Sequence, residues 1–338
     1  MSSNSTASNE KVLTARELRV EFGLPGGRVA RAVDGVDLDV APGEIVALAG
    51  ESGCGKTTLA RTLLGLERPT GGTVAFGGEP LRFSTKALKA YRRQVQLVLQ
   101  DPTGALNPRH TVYDAVAEGL RIHGITDDEP GRVAEALSRA GLRPPEQFFL
   151  AYPHELSGGQ RQRVVIAGAL VLQPSLLVAD EPVASLDASV RGEILSLLLR
   201  LKEEQGLGAL VITHDLGLAW SIADRIAIMY LGRIVEQGPV EQVLTAPRHP
   251  YTRALVSVLP DSPVAEPIVL AGELPDASKI PGGCRFRPRC QEVASGNAAE
   301  VLHQCGSEDL KILGPEAKPH LVACHLDREL HESAKMAV

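Results

Sequence analysis

The chain has 338 residues, a formal net charge of −6 and 44% apolar residues, enough to bury the core of one large α/β domain with an appendage, or of two modest domains. The acidic balance argues against a nucleic-acid partner, because binding driven by phosphate contacts wants a basic face. No run approaches the roughly 20 apolar residues that cross a bilayer; the longest, from Val164 to Leu172, is stopped by Arg163 and Gln173, so a membrane role has to come through partners.

The polar N-terminus has no apolar stretch of the kind a signal peptide carries, and residues 1–12 read as a disordered tail. Residues 18–22 and 36–40 read as strands. Residues 45–49 form a short apolar run that ends in a Gly-rich turn and meets a helical pattern of Leu59, Leu63, Leu64 and Leu66. A middle section, about 100–152, holds helical patterns such as Val133, Leu137 and Ala140, broken by polar residues 126–130. A helix over 160–172, a buried strand over 176–179, a helix over 188–205 and a buried strand over 210–213 follow. Such alternation predicts an α/β fold with a mostly parallel sheet covered on both faces. After Gly238 prolines accumulate and the apolar rhythm weakens, which marks a C-terminal appendage over 239–338.

Gly50-Glu51-Ser52-Gly53-Cys54-Gly55-Lys56-Thr57-Thr58 satisfies the phosphate-loop pattern G-x-x-x-x-G-K-[ST]. Glycines let successive N–H groups face one point, and the following helix adds its N-terminal partial positive charge. Lys56 can reach the β- and γ-phosphates of a nucleotide, and the Thr57 hydroxyl can ligate Mg²⁺. Cys54 reads as a small filler. Farther on, the buried strand Leu176-Leu177-Val178-Ala179 ends in Asp180-Glu181, and ligands bind at the carboxyl ends of strands in open α/β sheets. Asp180 would hold Mg²⁺, and Glu181 would polarise the attacking water.

Leu156-Ser157-Gly158-Gly159-Gln160 opens a second helix with glycines and a hydroxyl, a second anion site. One chain needs only one such site for one triphosphate, so a composite site between two subunits accounts for both. LSGGQ is similar to the signature of ABC ATPases, and the other elements stand in the expected order. Gln100 resembles the Q-loop glutamine, Ala184-Ser185-Leu186-Asp187 the D-loop, His214 the switch histidine and Phe22 the adenine-stacking aromatic. The resemblance implies an ABC-type P-loop ATPase domain over 13–238 with a helical subdomain at about 100–172. It makes Glu181, His214 and Lys56 catalytic. It assigns ATP contacts to Phe22, the loop from Gly50 to Thr58, Gln100, Ser157, Gly158, Gly159, Gln160 and Asp187, and Mg²⁺ to Thr57, Gln100 and Asp180.

AVDGVDL (32–38), QDPTGALNPRHTV (100–112), YPHELSGGQRQRV (152–164), HPYTRAL (249–255) and the C-terminal GCRFRPRC…C…VACHL (283–326) narrow the resemblance to the dipeptide/oligopeptide and nickel uptake ATPases. Val183 stands where that family commonly has Thr, and Gly168 where Arg is common; neither removes a catalytic group. Peptides are the expected cargo, with nickel or oligosaccharides as alternatives. The implied partners are two membrane permeases, an extracytoplasmic binding protein and a sibling ATPase in a heterodimer, with the chain on the cytoplasmic face of the cell membrane. A soluble ABC ATPase acting on nucleic acid is disfavoured by the single cassette, the acidic charge and the lack of heptads between loop and signature. A small GTPase would want an N-K-x-D motif, which is absent.

Cys284, Cys290, Cys305 and Cys324 are concentrated in a proline-rich segment that lacks the rhythm to fold on its own core. Their grouping points to a metal staple. Zinc suits four thiolates, and free or paired thiols are the further alternative. The C-terminal resemblance implies a [4Fe–4S] cluster held by these four residues.

Overall fold

A computed structural model describes residues 12–184, 186–260, 262–310 and 320–327. The expected N-terminal tail, apart from Val12, and Ser185 of the D-loop lie outside the described residues. In chain order the elements are β1 (Leu13–Gly23), β2 (Val29–Val40), β3 (Ile45–Ala49), α1 (Lys56–Leu63), β4 (Gly71–Phe76), β5 (Glu79–Pro80), α2 (Thr85–Gln94), β6 (Val95–Val98), α3 (Pro102–Ala105), α4 (Val112–His123), α5 (Glu129–Arg139), α6 (Gly158–Leu170), β7 (Leu176–Asp180), α7 (Ala188–Gln205), β8 (Gly208–Thr213), α8 (Leu216–Ile222), β9 (Arg225–Tyr230), β10 (Arg233–Pro239), α9 (Val240–Thr245), α10 (Pro250–Ser257), α11 (Gln291–Ala294), α12 (Leu302–Ser307) and β11 (Leu321–Val322). They fall into two compact units, one of residues up to 15, 38–45 and 73–210, the other of residues 16–37, 46–72 and 211 onward.

In the first unit β6 and β7 run parallel, with Val95 opposite Leu176 and Val98 opposite Ala179. Helices α4, α5 and α6 pack together. They bury Val116 and Leu120, Val133 and Leu137, and Ile166 and Leu170, each set at helical spacing. The polar stretch 126–130, expected as a break, contains the start of α5. The Asp128 carboxylate accepts from Gly131 N at 3.2 Å and Pro130 sits in the first turn, a start signal in which the same residues that interrupt one helix begin the next.

The second unit holds a mixed sheet, where the sequence leads to a mostly parallel one. β3 and β9 are parallel, but β9–β10 and β10–β11 are antiparallel. The reason is the two-residue turn Leu231-Gly232 between β9 and β10, with φ of 43° and 81°. Positive φ at both centres is the type I′ hairpin turn, and so tight a connection can only pair its strands antiparallel. Among the described residues the last strand, β11, pairs with β10 at Glu236–Val322 and Gln237–Leu321, which makes residues 321–322 an edge strand of this unit's sheet.

Glu236 on β10 is fully buried and gathers the C-terminal segments. Its carboxylate accepts from Arg248 N at 2.8 Å and His249 N at 3.0 Å, and His320 Nε2 lies 2.7 Å away. His249 caps α10, its Nδ1 accepting from Tyr251 N at 3.0 Å. Burial pushes this imidazole down to about 4, against the pull of Glu236 and of a hydrogen bond to the Ala323 backbone. An unfolded histidine titrates near 6.5. Between about pH 4 and 6.5 the unfolded chain therefore binds the extra proton, and stability present above that window is lost as pH falls through it. Urea unfolding should show the wild type losing on the order of 2 kcal/mol between pH 7 and pH 5 relative to His249→Asn, whose amide oxygen can replace the cap acceptor without titrating. Parallel pH profiles for the two proteins would refute the assignment.

Candidate nucleotide site

In the second unit, β3 delivers the chain into the loop at Gly50 and α1 takes it away after Gly55. Gly55 caps α1 at φ 113°, and a Cβ there would run into the Ala32 carbonyl oxygen and stand 2.8 Å from the Met229 Cε. Only glycine fits both the backbone angle and the space. Lys56 is curled inward: its ammonium donates to Gly50 O at 2.7 Å and Glu51 O at 2.9 Å, and lies 3.9 Å from the Cys54 Sγ. Cys54 is buried, and burial pushes its thiol up despite the neighbouring ammonium of Lys56, so it remains a neutral filler. Its carbonyl accepts from Gly232 N at 2.8 Å, which seats the loop on the β9–β10 turn. Ser52, Gly53 and Thr57 are exposed, while Thr58 lends its carbonyl to Thr62 Oγ1 at 2.8 Å. Phe22 is exposed near the end of β1, and His214 is exposed just past β8. Beside His214, Asp215 N donates to Thr213 Oγ1 at 2.9 Å and the Asp215 carboxylate caps α8 through Leu218 N at 3.0 Å.

In the first unit, the parallel register brings two separated residues side by side. Val98 and Ala179 are opposite each other, so Gln100 and Glu181, each two positions further on, leave the same end of the sheet. Gln100 Nε2 donates to Glu181 Oε2 at 2.9 Å. Asp180 ends β7, and Glu181 then takes a left-handed backbone, φ 45°, with its carbonyl accepting from Ala184 N at 3.2 Å. For a residue other than glycine this conformation costs about 1 kcal/mol or more, and such costs gather at functional sites.

The signature segment is built as a capped helix start. Ser157 Oγ accepts from Gln160 N at 3.2 Å while Gln160 Oε1 accepts from Ser157 N at 2.9 Å, a reciprocal capping box. Gly159 is pressed against α7: a Cβ there would lie 2.5 Å from the Val190 Cγ1. Asp187 starts α7 without capping its first turn. Two arginines that sequence reading passed over brace these pieces. Arg191 donates to Leu186 O at 2.7 Å and to Ala184 O at 3.4 Å. Arg161 donates to Leu156 O at 3.2 Å and to Thr103 Oγ1 at 3.0 Å, tying the signature helix to α3, the short helix after Gln100. Neither carries a local signal, because each acts on backbone carbonyls or a hydroxyl that only the fold brings near.

Residues 33–184 match the family model described as ABC transporter, and residues 235–296 match the one described as oligopeptide/dipeptide transporter, C-terminal region. The oligopeptide transport ATP-binding protein AppF of Bacillus subtilis is 39% identical over 335 residues, covering 95% of this chain and 98% of AppF. The dipeptide transport ATP-binding protein DppF of Escherichia coli is 40% identical over 302 residues, covering 86% of this chain and 90% of DppF. This chain belongs to that ABC transporter family. Among solved structures, CbiO1 of Clostridium perfringens, part of the CbiONQ transporter complex, superposes with a TM-score of 0.62 at 31% identity over 70% of this chain and 92% of its own. The dimeric cassette MJ0796 bound to ADP and Pi superposes with a TM-score of 0.60 at 29% identity over 68% of this chain and 98% of its own. The chain is an ABC-type ATPase. Among the described residues no helix is long and apolar enough to cross a membrane.

Within this family member the iron–sulfur expectation fails. Cys284, Cys290, Cys305 and Cys324 border one small cavity in the C-terminal region, but Phe286, Val293, Ala298 and Leu326 border it too. Cys305 packs into an apolar cluster with Ala298 and Val301. Among the described residues no group of three or more His, Cys, Asp or Glu side chains is placed to hold a metal ion. Burial pushes the thiols up, Cys284 to about 11 and Cys324 to about 12, so without a metal they are neutral. Cys305, with Cys284 packed against its cluster, serves as a small apolar packing group, and Cys324 is buried. Alkylation by iodoacetamide at pH 8 should therefore leave Cys324 largely unmodified in the native protein and modify it rapidly in urea, as peptide mass mapping would read; equal labelling in both states would contradict buried neutral packing.

Proposed function

We propose that this chain binds and hydrolyses Mg-ATP to energise ABC import of peptides, and that the hydrogen bond from Gln100 to Glu181 marks its hydrolytic end. The cargo reading rests on the C-terminal family match and on relatives named for oligopeptide and dipeptide transport. Nickel or oligosaccharide would be carried by the same machinery.

The loop from Gly50 to Thr58 takes the triphosphate. Lys56 exchanges the carbonyls of Gly50 and Glu51 for phosphate oxygens, an ammonium–carbonyl contact replaced by an ion pair. Phe22 offers an exposed ring for the adenine. The Thr57 hydroxyl and the Asp180 carboxylate, with the Gln100 amide oxygen, are hard oxygen donors of the kind Mg²⁺ takes, and Mg²⁺ when bound neutralises charge on the phosphates. Glu181 orients and polarises the attacking water, Gln100 holds its carboxylate, and His214 contacts the γ-phosphate. Ser157, Gly158, Gly159, Gln160 and Asp187 serve the nucleotide of a second ATPase, which we read as a sibling subunit.

The assembly places this chain on the cytoplasmic face of the membrane against two permeases, fed by an extracytoplasmic binding protein. The segment after Gln100 suits the permease contact. Asn107, Pro108 and Arg109 are exposed, and Leu150 is 82% exposed two residues before Tyr152, itself 38% exposed. Val112 N and Tyr113 N donate to the carbonyls of Ala151 and Phe149 at 2.9 and 3.1 Å, which sets these apolar side chains beside the start of α4. Leu106, in the same segment, is 8% exposed and packs inward.

Lys56→Ala should abolish ATP binding by equilibrium titration. Glu181→Gln should keep binding and lower turnover by about 10²–10³-fold, and His214→Ala should also cripple turnover. A wild-type rate from Glu181→Gln would sink the assignment of the base. In reconstituted transporter, Pro108→Ala combined with Leu150→Ser should lose uptake while keeping basal ATP hydrolysis; equal loss of both would point to misfolding.

A further inference from the structure

Glu51 stands one residue into a loop that receives a polyanion, and a bare carboxylate there repels phosphate. The C-terminal region answers that charge. Arg289 Nη1 lies 2.7 Å from Glu51 Oε2 and Nη2 lies 3.1 Å from Oε1, a two-pronged ion pair. The same guanidinium donates through Nε to Ala271 O at 3.1 Å. It also lies over the Tyr230 ring at 5.9 Å from the centroid. Arg289 itself is only 9% exposed while the Glu51 side chain keeps 27%, so the pair is partly shielded from water and salt and the fork sets its geometry.

The rest of Glu51 is held as well. Its N–H donates to the Tyr251 hydroxyl at 2.9 Å, and its carbonyl accepts from Lys56 Nζ at 2.9 Å. Tyr251 and Tyr230 pack with Phe286 at ring-centroid distances of 4.8, 5.2 and 5.5 Å, an aromatic cluster that fixes the chain three residues before Arg289. Leu274 reaches the other side of the loop, with its Cδ2 3.8 Å from where a Cβ of Gly53 would stand. If Lys56 turns to a nucleotide, the carbonyl of Glu51 keeps only the longer hydrogen bond from Cys54 N at 3.3 Å. Arg289 and Tyr251 then carry more of the hold on this residue.

We propose that Arg289 is a positioning residue for nucleotide binding: it neutralises Glu51 and fixes the loop's second residue, so that the C-terminal region completes the phosphate site from outside it. The proposal rests on the reading that the loop from Gly50 to Thr58 binds ATP.

The test uses the purified full-length chain with Mg-ATP, measuring equilibrium binding, KM and kcat, with thermal unfolding in parallel. Arg289→Ala should raise KM about tenfold, the scale of one unpaired charge beside a bound anion, with kcat changed less than about twofold. Adding Glu51→Gln to Arg289→Ala should recover most of the lost affinity, because the repelling charge is gone; a purely structural role would leave it unrecovered. Arg289→Lys, which keeps the charge but loses the fork, should fall between. Arg289→Gln, which keeps a donor for the Ala271 carbonyl, carries the comparison if Arg289→Ala does not fold. A KM within about twofold of wild type in Arg289→Ala and Arg289→Gln, or a loss that Glu51→Gln does not recover, would overturn the proposal. Wild-type protein that bound no ATP would overturn the underlying reading as well.

Discussion

The phosphate loop lies directly on main chain, with no side chain between. The Gly232 N–H reaches the Cys54 carbonyl, and the Ala32 carbonyl occupies the space where a side chain at Gly55 would be. Backbone-on-backbone contact leaves little slack, since a peptide group has no rotamers through which to yield. The loop therefore takes its shape from β2 and from the β9–β10 turn as much as from its own glycines. Anything that moves that turn moves the phosphate site. The second unit accordingly places heavy reinforcement there: Arg285 Nη1 donates to Leu231 O at 2.6 Å, and Arg285 and Arg233 both meet the buried carboxylate of Asp34.

That three-residue cluster explains why residues beyond Gly238 belong to the same compact unit as the loop. Asp34 and Arg285 are 251 positions apart in sequence and pair out of water. Burial by itself would raise the Asp34 carboxyl, but the hydrogen bond and charge of Arg285, with Arg233 and Arg31, hold it below its usual range. Buried pairs of this kind add modest net stability when intact, yet breaking one strands a charge at a cost of about 3–5 kcal/mol. Their effect is to specify one arrangement of the C-terminal segments.

Much of this architecture can be read from local pattern. β3, β7 and β8 announce themselves as apolar runs bounded by turns, and α7 begins and ends where the sequence rhythm says, because a long helix averages over its weak positions. The β9–β10 hairpin escapes notice because Leu231 stands at a left-handed turn position where asparagine, aspartate or glycine would be the signal. The order of the ATPase motifs is visible along the chain, whereas the contact between Gln100 and Glu181 depends on the register of two strands separated by the whole helical segment. The cysteines mislead for an instructive reason. Their segment lacks apolar periodicity, which suggests a metal must hold it. In the fold, Phe286 packed on Tyr230 and Tyr251, with the ion pairs of Arg285 and Arg289, supplies the anchorage instead.

The left-handed backbone at Glu181 bears on how such a site is maintained. Glycine or asparagine would adopt φ 45° with less strain, so folding alone would not select glutamate there. The carboxylate is kept against local preference, and the surrounding turn, closed by the hydrogen bond from Ala184 to the Glu181 carbonyl, must absorb the difference. Drift toward greater thermal robustness and retention of the carboxylate proposed as the base therefore pull in opposite directions at this single position.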